Sequence, residues 1–146
     1  MKLASGILPL ADNTKQICLA WRAPQIPEGN CWGVIGGMLK DGKSFKENAL
    51  IELEEEMGYD GPIELRHALK YRVPGFTYQN FLGIVPEPFT MAPTDPEFAM
   101  ETSFIEWVSY DQLYEMVDNR SYQFHKGLLC LLYESQKQIW EILHDQ

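Results

Sequence analysis

Basic side chains are scarce in this chain: 12 Lys and Arg stand against 21 Asp and Glu, for a formal net charge of −9. Such a surface repels a phosphate backbone and has few cations with which to release counterions, which excludes general nucleic-acid binding. It does not exclude a small phosphorylated ligand, because a bound metal reverses the field locally. Cysteine is sparse too. Cys18, Cys31 and Cys130 are odd in number and widely spaced, with no CxxC pair. Neither a disulfide framework nor a structural zinc site is expected, and reduced thiols point to a cytoplasmic setting. Long apolar runs are missing as well. None approaches the roughly 20 residues that cross a bilayer, so no membrane partner is expected. The N-terminal MKLASGILPLADNTK lacks the extended apolar stretch of a signal peptide and reads as a first strand.

What is present fits one domain over residues 1–146, long enough to bury a core without covalent staples. With 45% hydrophobic and 23% charged residues, the balance is that of a globular chain rather than a disordered one. Alternation predicts strands at Leu3–Leu10 and Lys15–Arg22, joined by the turn Asp12-Asn13-Thr14. Ala23–Asn30, with Pro24, Pro27 and Gly29, is a loop. Trp32–Leu39 is apolar and glycine-rich and runs into the turn Lys40-Asp41-Gly42. Ser44 and Glu47 then form a capping-box pattern, Ala49, Leu50, Leu53 and Met57 recur at helical spacing, and Gly58 follows as a left-handed cap. Together these predict a helix over Phe45–Met57. Further strands are expected at Ile63–Val73, Thr77–Val85 and Glu101–Ser109. A short helix is expected at Tyr110–Asp118 and one long helix at Gln123–Leu143. Pro86–Glu97 holds four prolines and is a loop long enough to serve as a lid or rim. Interspersed strands and helices indicate an α/β layered domain.

The stretch Ile51–Glu56, IELEEE, is the unusual one. On a helix, Ala49, Leu50, Leu53 and Met57 form a core-facing stripe. Glu52, Glu55 and Glu56 then share an arc of roughly 100° beside it, with Glu54 on the other side. Each like-charge pair at this spacing costs roughly 0.2–0.5 kcal/mol, and no base on the helix answers them. A hard divalent cation would relieve the repulsion, and Mg²⁺ or Mn²⁺ suits oxygen ligands. A solvated acidic face is the ordinary reading of a Glu run taken alone. Gly36-Gly37 and Gly42, just before the helix, and Glu101, ahead of a later strand, tip the balance toward a site.

At this point the residues resemble the Nudix box, G-x5-E-x7-R-E-U-x-E-E-x-G-U with U a bulky apolar residue. Gly37, Glu52, Leu53, Glu55, Glu56, Gly58 and Tyr59 stand at its spacing, and Trp32–Gly37 is similar to the W-x-x-P-G-G lead-in. The likeness runs from about Leu3 to Asp118 and implies an α/β/α sandwich with a mixed, partly antiparallel sheet between helices. Two positions depart from the box: Lys43 replaces its first glutamate and Ile51 its arginine. Loss of that arginine removes a brace for the neighbouring carboxylates, and mutual repulsion should then raise at least one of their pKa values. Whether Lys43 reaches the cluster is open on sequence.

The resemblance implies Mg²⁺, or Mn²⁺, held by Glu52, Glu55 and Glu56 with the carbonyl of Gly37. It implies cleavage of a diphosphate linkage in a nucleoside diphosphate derivative, with Glu52 or Glu101 as general base and Glu52 ranked first. Arg22 stands where relatives place a basic substrate contact, although an ion pair at the core edge explains it equally well. The alternative is a Nudix-fold binding or regulatory module whose altered box hydrolyses little. Trp32, Phe76 and Tyr78 are read as core before they are read as base-stacking residues. His67, His125 and His144 have no ligand spacing and are read as structural or exposed. The apolar stripe of the last helix is either core or the seam of a homodimer.

Overall fold

The computed structural model describes residues 1–119 and 121–145, and all side chains among them except those of residues 67 and 68. His67 therefore falls outside the described side chains.

The alternating segments form one mixed sheet. Its strands are β1 (Lys2–Ala11), β2 (Gln16–Arg22), β3 (Trp32–Gly33), β4 (Ile35–Met38), β5 (Glu64–Val73), β6 (Phe76–Val85) and β7 (Thr102–Ser109). The central pairing is parallel, between β1 and β6, in register from Lys2↔Phe76 to Ala11↔Val85. The other pairings between these strands are antiparallel. On its other edge β1 is shared: β4 lies along Ala4–Ile7, and β2 takes over at Leu10 and Ala11. β2 pairs in turn with β7, from Gln16↔Ser109 to Arg22↔Thr102, with an irregularity at Trp21/Arg22. That pairing carries the residues around Glu101 to the end of β2. β5 and β6 form a hairpin at the far edge, turning at Gly75 with φ 77°.

Period-two alternation splits the apolar residues between two faces. Ile7, Cys18, Ala20 and Phe81 point to one face, where Ala49, Leu53 and Met57 of helix α1 (Phe45–Met57) cover them. Leu8, Leu10, Ile17, Leu19 and Leu82 point to the other. There they meet α2 (Tyr110–Asp118), α3 (Lys126–Glu134) and α4 (Gln136–His144). The layers are helix, sheet and helices, an α/β/α sandwich.

The single helix expected over Gln123–Leu143 is two. Ser135 (φ −108°, ψ 10°) breaks it: its N–H still bonds Leu131 O, but its hydroxyl is buried without a partner. The break lets both halves lie on the sheet. Leu128, Leu131, Leu132, Ile139 and Leu143 are all buried in the chain's own core, so the stripe is core. Trp140, expected within it, is 48% exposed and stacks on His144 instead.

Candidate metal and active site

Helix α1 carries the acidic cluster, and the loop before it fixes the helix against β4. Ser44 caps the helix reciprocally with Glu47, and Gly58 closes it in the left-handed region (φ 68°). Gly58 also cannot bear a side chain for lack of room: a Cβ there would lie 2.0 Å from Ala92 O. The proline loop presses on the helix at this point. Its Ala92 and Thr94 N–H groups donate to Met57 O and Glu55 O, two of the free carbonyls at the helix end. The loop expected to act as a lid or rim also clasps the acidic helix.

Asn48, fully buried, ties the other end. Its amide donates to Ser5 Oγ (3.0 Å) and Gly37 O (3.3 Å), and its carbonyl accepts from the Lys40 N–H (3.0 Å). Ser5 Oγ in turn donates to Phe45 O (2.7 Å). This network holds the Gly37–Lys40 turn against the first turns of α1. Gly37 is packed so closely that a Cβ there would sit 2.6 Å from the Glu52 carboxylate carbon. A side chain at this position would push the Glu52 carboxylate out of its place.

Glu52 and Glu56 flank the apolar stripe and are 9% and 4% exposed, Glu55 is half-buried, and Glu54 points to solvent. The helical arc drawn from sequence is the arc observed. Glu56 Oε1 accepts from Thr102 Oγ1 at 3.4 Å, and Glu56 Oε2 is buried with no partner. Its pKa lies well above the usual carboxylate range, first because of burial, then because Glu52 and Glu101 add negative charge nearby. Repulsion does raise one carboxylate, but desolvation is the larger cause. Glu101, exposed, follows a short 3-10 turn (Pro96–Met100), and its carbonyl accepts from Ala23 N at 2.9 Å.

A base does answer the cluster, and sequence reasoning missed it. Lys40 Nζ lies 2.5 Å from Glu52 Oε1 and 3.8 Å from Glu55 Oε2. Burial alone would lower the Lys40 pKa; the hydrogen bond to Glu52 and the charges of Glu52, Glu55 and Glu56 outweigh it and raise it. Lys43, the cation that sequence brought forward, is exposed and acts on Glu47 instead. Among the described residues no three carboxylate, imidazole or thiol groups converge into a ready-made cage. The Lys40 ammonium lies where two of the carboxylates would have to close.

Do these residues fit a divalent cation? The donors are hard oxygens, and Glu56 Oε2 is a buried acceptor without a donor. That chemistry fits Mg²⁺ or Mn²⁺.

Arg22 is turned to its own loop. Its Nε and an Nη donate to Glu28 O (2.9 Å) and Pro27 O (2.7 Å), and its stem covers Gly33. His125 caps α3 by accepting from Gly127 N, and its other ring nitrogen meets Glu28 Oε2 at 2.5 Å. Both contacts fasten the loop between β2 and β3. Under it is a recess of about 30 Å³, room for one or two waters, lined by Arg22, Tyr71, Phe76, Tyr78, Asn80 and His125. Asn80 is 1% exposed and its Oδ1 has no partner. Tyr78 joins the two regions: its hydroxyl closes over the Gly6 and Gly36 backbones, and burial, then the charge of Glu56, holds its pKa far above the ordinary phenol range. Trp32 is buried in the core.

A family model described as "NUDIX domain" matches residues 1–132. Solved structures share the fold at low identity. A Nudix hydrolase from M. smegmatis, RenU, superposes with a TM-score of 0.71 at 19% identity, over 94% of this chain and 84% of its own. An Ap4A hydrolase from C. elegans gives 0.69 at 14%, over 96% and 98%. A bifunctional NMN adenylyltransferase/ADP ribose pyrophosphatase from Francisella tularensis, complexed with AMP and a Mn ion, gives 0.65 at 15%, over 92% of this chain and 41% of its own. No curated protein matches the sequence significantly.

Proposed function

The chain belongs to the Nudix family, and from that premise we propose that it is a Mg²⁺- or Mn²⁺-dependent pyrophosphohydrolase cleaving a diphosphate linkage in a nucleoside diphosphate derivative. One observation carries this reading: a buried carboxylate oxygen, Glu56 Oε2, stands without a donor among three further acids, Glu52, Glu55 and Glu101. An anion so placed is costly unless a cation arrives. The solved relatives include one that acts on Ap4A and one complexed with AMP and a Mn ion, which is the class of ligand and metal proposed.

Glu52, Glu55 and Glu56, with the Gly37 carbonyl, would hold the cation. When bound, it neutralises charge developing on the diphosphate and makes an attacking water more acidic. Thr102 keeps Glu56 oriented, and Asn48 keeps the Gly37 carbonyl turned toward the helix. Glu101 takes the proton. We rank Glu101 ahead of Glu52 for this role because Glu52 is taken as a metal ligand, whereas Glu101 is exposed and close enough to influence Glu56. Arg22 and Asn80 belong to the ligand end. For a base to enter the recess, the Arg22 and His125 contacts must loosen, and Asn80 then offers an amide edge to it.

The second reading, a binding module with little turnover, draws on Lys43, Ile51 and the Lys40–Glu52 pair. One assay separates them. The chain is incubated with Mg²⁺ or Mn²⁺ and a panel of nucleoside triphosphates, dinucleoside polyphosphates, NADH, ADP-ribose and nucleotide sugars, and phosphate products are measured. Turnover abolished by Glu56→Gln supports the enzyme; tight binding of a panel member without products supports the module.

A further inference from the structure

We infer that the Lys40 ammonium is an internal competitor of the divalent cation for Glu52 and Glu55, so that binding metal in this chain means breaking an ion pair first. The inference rests on the proposed metal site and deepens it by naming what controls its occupancy.

The geometry is specific. Nζ is 2.5 Å from Glu52 Oε1 and 3.8 Å from Glu55 Oε2, so one ammonium serves two of the three carboxylates on the helical arc. The placement is built in from the backbone up. Lys40 N–H is fixed by Asn48 Oδ1, and Gly37, three residues earlier, is pressed against the same Glu52 carboxylate. The stem therefore starts beside the cluster and has only to extend over it. A Mg²⁺ at its usual ~2.1 Å from that same oxygen would lie within about 5 Å of the ammonium, too close for a dication and a monocation to share it.

Lys40 is also able to leave. Its side chain is 38% exposed, whereas that of Glu52 is 12% exposed. A flexible, well-hydrated ammonium can swing into water without uncovering the core, but the carboxylate cannot follow it. Helix α1 itself supplies no cation at this face: Ile51 precedes Glu52, and the helix's one base, Lys46, is exposed six residues before it. The positive charge comes from the loop, where it is displaceable. Burial separates the three acids into two kinds: Glu52 and Glu55 are satisfied by Lys40, and Glu56 Oε2 is left for the incoming ion.

The test is Mn²⁺ titration of the full chain by the free-ion EPR signal and by calorimetry, on wild type, Lys40→Met, Lys40→Gln and Lys43→Met. Both Lys40 variants should bind Mn²⁺ about fivefold tighter than wild type, the upper end for one partly exposed ion pair. Lys43→Met, which removes the same charge from the same loop without touching Glu52, should stay within about twofold. Equal or weaker binding in the Lys40 variants overturns the inference and makes Lys40 a brace. An equal gain in Lys43→Met also overturns it, by reducing the effect to net charge. If neither wild type nor either Lys40 variant binds Mn²⁺, the metal site itself falls. A readout on the unaltered chain covers misfolding of the variants: Mg²⁺ titration should move the Lys40 side-chain ¹³Cε resonance away from its ion-paired position, and a resonance that stays in place overturns the inference.

Discussion

Glu56 is the residue at which burial and charge conflict most sharply. Its pKa is raised by burial and by neighbouring acids, so folding favours its protonated form. Stability from this group is complete below the unfolded-state pKa and is lost as pH rises through the folded-state value. Glu56→Gln mimics the protonated form. In chelator, its melting temperature should match wild type near pH 4 and exceed it by a few degrees at pH 8, the scale of about 1 kcal/mol in a chain of this size. Saturating Mn²⁺ should stabilise wild type and not the variant. Glu101→Gln should behave differently: Mn²⁺ affinity is kept while kcat falls by roughly 10²–10⁴. A fall confined to KM would remove Glu101 from the proton-transfer role. The three box glutamates and Gly37 were legible in the sequence because helical spacing and a glycine before a helix are local signals. Lys40 and Asn48 were not. Nothing in a Lys-Asp-Gly turn says where the lysine extends, and an Asn inside a helix announces a buried hub only after Ser5 is brought to it from 43 positions away.

At the scale of elements, α1 is specified twice, by its caps and by the segments that hold its ends. Asn48→Ala removes three hydrogen bonds, one buried and two partly buried, that join the helix to β1 and the Gly37–Lys40 turn, and should cost about 2–3 kcal/mol in denaturant unfolding with an unchanged slope. The junction of α3 and α4 predicts the opposite sign. Ser135→Ala deletes a buried hydroxyl that has no partner and should be neutral or stabilising by up to about 1 kcal/mol; a clear loss would mean that the hydroxyl is hydrogen-bonded in solution. The limits of α1 were readable from its capping box and Gly58; the structure adds a second capping box, Ser109 with Gln112, at the start of α2. The break at Ser135 was not readable, since Glu-Ser-Gln contains neither proline nor glycine and the apolar spacing runs on through it. What bends the chain there is the sheet surface that both halves must cover.

The molecule as a whole balances an acidic exterior against a site that asks for cations. With a net charge of −9, its field draws Mg²⁺ in and repels phosphate esters, so apparent ligand affinity should rise with metal concentration. A calorimetric titration of one nucleotide at several Mg²⁺ levels checks this. An affinity independent of Mg²⁺ would place the ligand away from the glutamates. The pairing at the centre of the sheet carries a further consequence. β1 runs parallel to β6 along its full length, so on this edge its residues must wait for partners 74 positions later in the chain. Until Val85 has cleared the ribosome, one edge of β1 stays open, although β2 and β4 can already pair along the other. A nascent chain should therefore stay protease-sensitive until β6 has emerged, then acquire resistance in one step.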